Sequence, residues 1–323
     1  MTTTRRHLLH LAAASLTLAA ASMPAAAQTY PARTIRILVP YAVGSSVDIT
    51  SRLVADGLSK RLGQAVIVEN KAGGNGLIAM SSLLNAPADG YTLMSDTPAS
   101  AINPTLYKAR YDPTVDLAPV AQLMSLPFAA AVSNAVPVKD PKDFVAYAKS
   151  QPGVLNAAVA GTSTRLAGEL FSIKAGVSFQ PIPYKGAAPA MQAVLTNESQ
   201  VVFLDAANLA PHIQSGKMRG IFVTGDKRYS VLPDVPTVRE LGVADYDVST
   251  WFGMFARKGT PPEIVDKLNA AIKEVMATPE LTTYMAPRGA TPSNLTAAEF
   301  TRFFHNEVKL WRDVIVKAGI TAN

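Results

Sequence analysis

The chain has 323 residues, a formal net charge of +6 at neutral pH and no cysteine. Without cysteine it cannot form disulfides, thiolate nucleophiles, cysteine-ligated iron–sulfur clusters or a lipid anchor on an N-terminal cysteine. The basic residues are scattered rather than clustered with aromatic side chains, so we expect no nucleic-acid binding.

The first 27 residues have the pattern of an export signal. Arg5 and Arg6 precede an apolar run at 8–23, and three alanines at 25–27 form a cleavage site before Gln28. The run is too short and too often interrupted by polar residues to predict a membrane span. Paired arginines suit both the general secretion route and the twin-arginine route. We expect a periplasmic mature protein with 28 basic and 24 acidic residues.

Strands and helices alternate along the first part of the mature chain. The apolar patterns predict, in order, a strand at 35–39, a helix at 47–62, a strand at 65–69, a helix at 76–85 and a strand at 92–95. This order is typical of a parallel α/β sheet. Between 103 and 127 turn residues are predicted to replace long elements, and we place a lobe boundary at 127.

A second α/β unit follows this boundary. Its predicted elements are helices at 141–150, 165–175, 188–196 and 208–215 and strands at 154–160, 180–183, 200–204 and 219–224. A strand at 249–256 then returns to the first lobe, and amphipathic helices at 261–276 and 296–318 close the fold. We predict an α/β protein with mixed, mostly parallel sheets and a cleft between two lobes, the first formed by 28–127 with 253–323 and the second by 128–252.

A Gly/Ser turn follows the first strand and opens the first helix. Ser45 and Asp48 have the spacing of a helix capping pair. Backbone N–H groups at a helix N-terminus lack intrahelical partners, and the helix dipole adds partial positive charge there. The pattern predicts a site for a carboxylate or a phosphate, although an ordinary strand-to-helix turn has the same sequence features.

The second lobe repeats this arrangement at Gly161–Arg165. Hydroxyls and free N–H groups at two facing turns would suit a ligand with an anionic group, and Arg165 is suited to pair with a carboxylate. The alternatives are a solvent-facing Arg165 and a simple helix cap at Thr162, Ser163 and Thr164.

The usual catalytic signatures are missing. His212 and His305, the two histidines after the signal, lie in helical patterns, and neither G-x-S-x-G nor H-E-x-x-H occurs. Carboxylates are sparse in the loops, so we expect no divalent metal site, and no cofactor is predicted. Gly74-Asn75-Gly76, with Asp96 beyond it, resembles a dinucleotide fingerprint. An exported nucleotide-binding oxidoreductase is therefore the alternative.

Eight motifs occur in order along the mature chain: PYAVGSSVD, LGQAVIVENKAGGNG, DGYTLM, INPTLY, GTSTRLAGELF, PYKGAAPA, VLPDVPTVRELG and WFGMFARKGTP. On these motifs the chain resembles the Bordetella uptake gene (Bug) family, the periplasmic receptors of tripartite tricarboxylate transporters. The resemblance implies a two-lobed, type II periplasmic-binding-protein fold without catalysis. It implies hinge closure on a small organic acid, a dicarboxylate or an aromatic carboxylate, and delivery to membrane transporter subunits. We expect a monomer. A receptor that feeds a signalling partner would share these features.

The resemblance also implies a set of ligand-binding residues. In the first lobe they are Tyr41, Val43, Gly44, Ser45, Ser46, Asp48, Gly74 and Thr97, and in the second Gly161, Thr162, Ser163, Thr164, Arg165, Tyr184 and Asp205, with Lys185 framing the cleft. Three positions depart from the family pattern. Ser45 replaces a second glycine, Val47 replaces a small polar residue, and Arg165 replaces a histidine, which adds a fixed charge.

Overall fold

A ten-stranded mixed sheet organises the fold in the computed structural model, which describes residues 30–225, 227–246 and 248–321. From edge to edge its strands lie in the order Val66–Asn70 (β2), Ile35–Val39 (β1), Thr92–Asp96 (β3), Ser249–Arg257 (β9), Leu117–Ser133 (β4), Val201–Asp205 (β7), Asn156–Val159 (β5) and Gln180–Pro183 (β6). Met218–Val223 (β8) and Thr291–Pro292 (β10) both pair with β4. The predicted export signal at 1–27 lies outside the described residues. Within the ranges described, no helix has the length and apolar character needed to cross a membrane.

The first lobe begins with alternating strands and helices. They are β1 (Ile35–Val39), α1 (Ser46–Leu62), β2 (Val66–Asn70), a 3-10 turn (Gly74–Gly76), α2 (Leu77–Leu84), β3 (Thr92–Asp96) and α3 (Ala99–Leu106). β1 pairs in parallel with both β2 and β3. The predicted βαβαβ order is confirmed.

Helix α3 corrects the prediction of turns after residue 103. Pro104 lies inside this helix and lacks the N–H that would bond to the Ser100 carbonyl one turn earlier. The hydroxyl of Tyr111 donates to that carbonyl instead, at 2.9 Å. The helix therefore continues through Pro104, where the sequence pattern predicted a turn.

The structure also corrects the prediction of turns up to residue 127, because residues Leu117–Ser133 form a long strand, β4. It accommodates Pro119 with an irregularity in its register to β9, and a second irregularity follows at 122–124. Its first part, to Pro127, pairs with β9, whereas Phe128 and later residues pair with β7 and β8. A single strand thus belongs to both halves of the sheet.

The second lobe contains the remaining parallel pairs, β5–β6 and β5–β7. Its elements are α4 (Asp143–Ser150), β5 (Asn156–Val159), α5 (Thr162–Ala175), β6 (Gln180–Pro183), α6 (Ala187–Leu195), β7 (Val201–Asp205), α7 (Ala206–Gln214), β8 (Met218–Val223) and a 3-10 turn (Arg239–Leu241). Aromatic rings of Phe171, Phe203, Phe222 and Tyr246 pack together in its core. Each predicted element is present with small shifts at its ends.

The chain returns to the first lobe through β9 (Ser249–Arg257), which is antiparallel to β3 and β4. It ends with α8 (Pro262–Met276), α9 (Pro279–Met285), a 3-10 turn (Ala286–Arg288), β10 (Thr291–Pro292) and α10 (Ala297–Ala318). Trp251, Phe255, Phe300 and Phe304 form an aromatic core beneath β9. The lobe boundaries at 127 and 252 stay a prediction.

Candidate functional site

The first turn is fastened by Asp48. Ser45 caps α1 by accepting from the Asp48 N–H, as predicted, and the Asp48 carboxylate accepts in return from the Gly44 N–H at 2.9 Å. Arg52 and Asn70 also donate to it. Burial disfavours the charge of Asp48, but these hydrogen bonds outweigh it and lower the pKa of the carboxyl group. Asp48 therefore shapes the turn.

The second turn uses its threonines in a similar way. Thr164 Oγ1 donates to the Gly161 carbonyl at 2.8 Å and accepts from the Ala160 N–H at 3.0 Å. The hydroxyl of Thr162 lies 3.1 Å from the hydroxyl of Tyr107 on α3. Ser163 Oγ, by contrast, makes no hydrogen bond to another described residue. It is the hydroxyl of this turn that remains available to a ligand.

The two turns face one cavity of about 370 Å³, which we call the inter-turn cavity. Nine of the predicted site residues line it: Tyr41, Ser45, Ser46, Thr97, Gly161, Thr162, Ser163, Thr164 and Asp205. Its other lining residues are Val47, Asn75, Ala99, Ala160, Ala187, Leu204, Thr250 and Phe252. The structure therefore brings together loops from both lobes.

Four helices begin at the wall of this cavity. Their first residues are Ser46 of α1, Ala99 of α3, Thr162 of α5 and Ala187 of α6. Each helix N-terminus contributes partial positive charge, and its first N–H groups have no partner within the helix. Among the described residues that line the cavity there is no lysine or arginine. The wall thus favours an anion through neutral N–H and O–H donors.

Tyr41 is held against the cavity wall by a buried carboxyl group. Its hydroxyl lies 2.6 Å from Thr97 Oγ1 and donates to Asp96 Oδ1 at 3.1 Å. The Thr97 N–H also donates to Asp96, at 2.8 Å. Burial raises the pKa of Asp96 to about 7, although both hydrogen bonds act in the opposite direction.

Several predicted ligand-binding residues lie outside the cavity lining. Val43 is 73% exposed and is not among the residues that line the cavity. Arg165 Nη1 donates to the Thr321 carbonyl at 3.2 Å, at the C-terminal end of the described chain. The Tyr184 hydroxyl donates to Glu198 Oε1 at 3.0 Å. Gly44, Asp48, Gly74 and Lys185 also lie outside the lining.

Asp205 lies where the inter-turn cavity adjoins a second cavity of about 390 Å³. It caps α7, since its two oxygens accept from the Asn208 N–H at 3.1 Å and from Asn208 Nδ2 at 2.6 Å. Burial raises the pKa of this carboxyl group. Ser46, Thr250 and Phe252 join Asp205 in lining both cavities.

Sequence reasoning missed Thr250, Phe252 and Ala187. The first two alternate along β9 with the buried Trp251, so a period of two would have placed them together on the opposite face. Ala187 follows Gly186 at the start of a helix, which is the pattern already noted at Gly161. Both signals were present in the sequence.

The dinucleotide alternative lacks its acidic residue. Asp96 is buried and hydrogen-bonded, so its carboxylate does not face a ligand as the fingerprint requires. Gly74–Gly76 is a short 3-10 turn whose Asn75 carbonyl accepts from Asn103 Nδ2 at 2.7 Å. Across the described ranges, no cluster of three histidine or acidic side chains is arranged to hold a metal ion.

Comparisons with known proteins identify the family of the chain. The model of the tripartite tricarboxylate transporter family receptor (TctC) matches residues 50–320. The protein BugT of Bordetella pertussis is 33% identical over 298 residues, covering 89% of this chain and 90% of BugT.

Two solved structures from Rhodopseudomonas palustris superimpose on most of the chain. Rpa4515 with adipate has a TM-score of 0.79 and 31% identity, covering 90% of this chain and 99% of that one. MatC with bound malate has a TM-score of 0.76 and 31% identity, covering 88% and 100%. The predicted two-lobed α/β fold is confirmed. The resemblance found in the sequence motifs is confirmed as well, and the chain belongs to the family of tripartite tricarboxylate transporter receptors.

Proposed function

We propose that this receptor is exported to the periplasm, captures a small organic carboxylate in the inter-turn cavity and delivers it to a membrane transporter of the tripartite tricarboxylate type. The observation that carries the proposal is the convergence of four helix N-termini on one cavity whose lining contains no lysine or arginine among the described residues. Such a wall stabilises a carboxylate through oriented dipoles and hydroxyls.

The ligands of related proteins support a carboxylate. Rpa4515 was solved with adipate and MatC with malate, and both are dicarboxylates. A dicarboxylate or an aromatic carboxylate would place one carboxylate between the N-termini of α1 and α5. Contacts from both turns to one ligand would favour a closed arrangement of the lobes, with β4 and β9 as the segments that bend.

Two serines are the sharpest test of this binding mode. Ser46 opens α1 and Ser163 lies in the first turn of α5, and neither hydroxyl bonds to another described residue. We expect Ser46→Ala and Ser163→Ala each to weaken carboxylate binding by about tenfold, because a hydrogen bond to a charged group contributes about 1.5–3 kcal/mol. The measurement is titration calorimetry of the mature protein from Gln28, after a thermal-shift screen of aliphatic and aromatic carboxylates, amino acids and NAD.

The control is Ser178→Ala, an exposed serine after α5 that lies outside the cavity. It should bind the same ligand with wild-type affinity. A thermal shift with NAD and with no carboxylate would overturn the proposal. So would wild-type affinity in both cavity variants, because the hydroxyls would then have no part in binding.

A further inference from the structure

The second cavity next to the inter-turn cavity has a different chemical character. Its shared wall with that cavity is Ser46, Asp205, Thr250 and Phe252, and its own lining is Met124, Leu126, Ala207, Asn208, Pro211, Tyr284, Pro287 and Arg288. Most of these added side chains are apolar. Asn208, Tyr284 and Arg288 are polar, and Arg288 adds a fixed positive charge, whereas no lysine or arginine lies among the described residues that line the inter-turn cavity.

Arg288 is held in position by its surroundings. Nη1 donates to the Tyr284 carbonyl at 2.7 Å, and the guanidinium lies over the Tyr284 ring with its central carbon 4.0 Å from the ring centroid. The hydroxyl of Tyr229 donates to the Arg288 carbonyl, which ties the 3-10 turn to the second lobe. The guanidinium therefore has a defined position on the cavity wall.

Two polar groups of this cavity have hydrogen-bonding capacity that the described chain does not use. No carboxylate of a described residue forms an ion pair with Arg288, although a guanidinium has five N–H donors and pairs well with a carboxylate. The buried hydroxyl of Tyr284 likewise finds no hydrogen-bond partner within the described chain. Unused guanidinium donors at a cavity wall point to a ligand with an anionic end, and an unsatisfied buried hydroxyl beside them is unusual in a folded protein.

The charges that line the two cavities would hold the two ends of such a ligand in different cavities. Helix N-termini favour an anion at the inter-turn end, and Arg288 favours one at the other end. Asp205 lies on the wall between them and disfavours negative charge there. Met124, Leu126 and Phe252 contribute apolar side chains to the wall of the second cavity. An apolar spacer between two anionic ends matches this set of groups.

We propose that Arg288 is a specificity-determining residue and that the ligand is an elongated dicarboxylate with an apolar spacer, whose second carboxylate binds Arg288 in the second cavity. This inference rests on the proposed function, because it assumes that the first carboxylate occupies the inter-turn cavity. It assigns the second cavity to the far end of the ligand.

The test compares α,ω-dicarboxylates from succinate to suberate with monocarboxylates of the same chain length, by titration calorimetry. The wild-type protein should bind one dicarboxylate at least about tenfold more tightly than its matched monocarboxylate. Arg288→Met keeps a long side chain without the charge and should reduce this ratio to about one. Arg288→Lys should retain part of it. The matched control is Arg312→Met, an exposed arginine on α10, which should keep the wild-type ratio.

The outcomes separate this inference from the function on which it rests. If Arg288→Met keeps the wild-type ratio, or if monocarboxylates bind as tightly as dicarboxylates, Arg288 does not bind the second carboxylate and the inference is wrong. If no carboxylate of either kind binds the wild-type protein, the proposed function fails first. Should Arg288→Met be poorly folded, Tyr284→Phe removes the unpartnered hydroxyl while keeping the ring beneath the guanidinium, and it should also lower the ratio. An unchanged ratio in Tyr284→Phe would then count against the second cavity.

Discussion

Asp96 makes the stability of this protein depend on pH in an unusual direction. Burial raises the pKa of this carboxyl group to about 7 from an ordinary value of 3.8. Between these values the folded protein binds more protons than the unfolded chain, so the free energy of unfolding falls as the pH rises from about 4 to about 7. One such group can change the free energy of unfolding by at most about 1.4 kcal/mol per pH unit.

Asp96→Asn should remove this dependence, since an amide keeps an acceptor for the Thr97 N–H and the Tyr41 hydroxyl but does not titrate. The stability of the variant minus that of the wild type should rise with pH up to about 7 and then become constant. Urea unfolding at several pH values between 4 and 8 measures this difference, in which the other titrating groups cancel. A difference that is the same at every pH would show that Asp96 has an ordinary pKa.

At the scale of residues, the sequence predicted the local parts of the site better than the distant ones. The cap of Ser45 on the Asp48 N–H and the turn at Gly161 depend on residues within four positions of each other, so capping rules were enough. Thr250 and Arg288 enter the cleft because β9 and the following turns return from far along the chain. No local rule fixes that approach.

Helices α1 and α8 approach closely at Gly57. A Cβ atom at this position would overlap with Cγ1 of Val275 and lie 2.9 Å from its Cγ2. Alanine favours an isolated helix by up to about 1 kcal/mol over glycine. Overpacking should outweigh this gain, and we expect Gly57→Ala to destabilise the protein by about 1–3 kcal/mol.

The partner substitution Val275→Ala provides the control, because it removes both methyl groups that Gly57→Ala would meet. The double variant should be more stable than the sum of the two single effects predicts, by about 1 kcal/mol. Chemical denaturation of all four proteins measures the coupling. Simple additivity would show that the helices move apart freely at this contact.

At the scale of elements, periodicity and turn chemistry predicted most of the fold. Strands such as β1 (Ile35–Val39) are almost wholly apolar because they are buried on both faces, and α8 and α10 have one apolar face. The failures were α3 and β4, because turns were predicted between residues 103 and 127. A hydroxyl from Tyr111 accommodates Pro104 and an irregular register accommodates Pro119, and both are tertiary features.

For the molecule as a whole, shared elements predict cooperative unfolding. Residues 33–323 form one compact unit, and β4 pairs with β9 in one half and with β7 in the other. One hydrophobic cluster contains both Trp251, on β9, and Phe171, in the second lobe. We therefore expect a single unfolding transition rather than one for each lobe.

Tryptophan fluorescence reports the buried Trp251 of β9 and Trp311 of α10, whereas far-UV circular dichroism reports both lobes, so the two transitions should coincide if the lobes unfold together. Calorimetric and van't Hoff enthalpies should agree. A ligand at 100 times its dissociation constant should raise the stability by about 2.7 kcal/mol and shift both signals together. Two separated transitions, or a ligand that shifts only one signal, would mean that β4 and β9 do not couple the lobes. Ligand binding would then stabilise one lobe without ordering the other, which is incompatible with capture by closure of both.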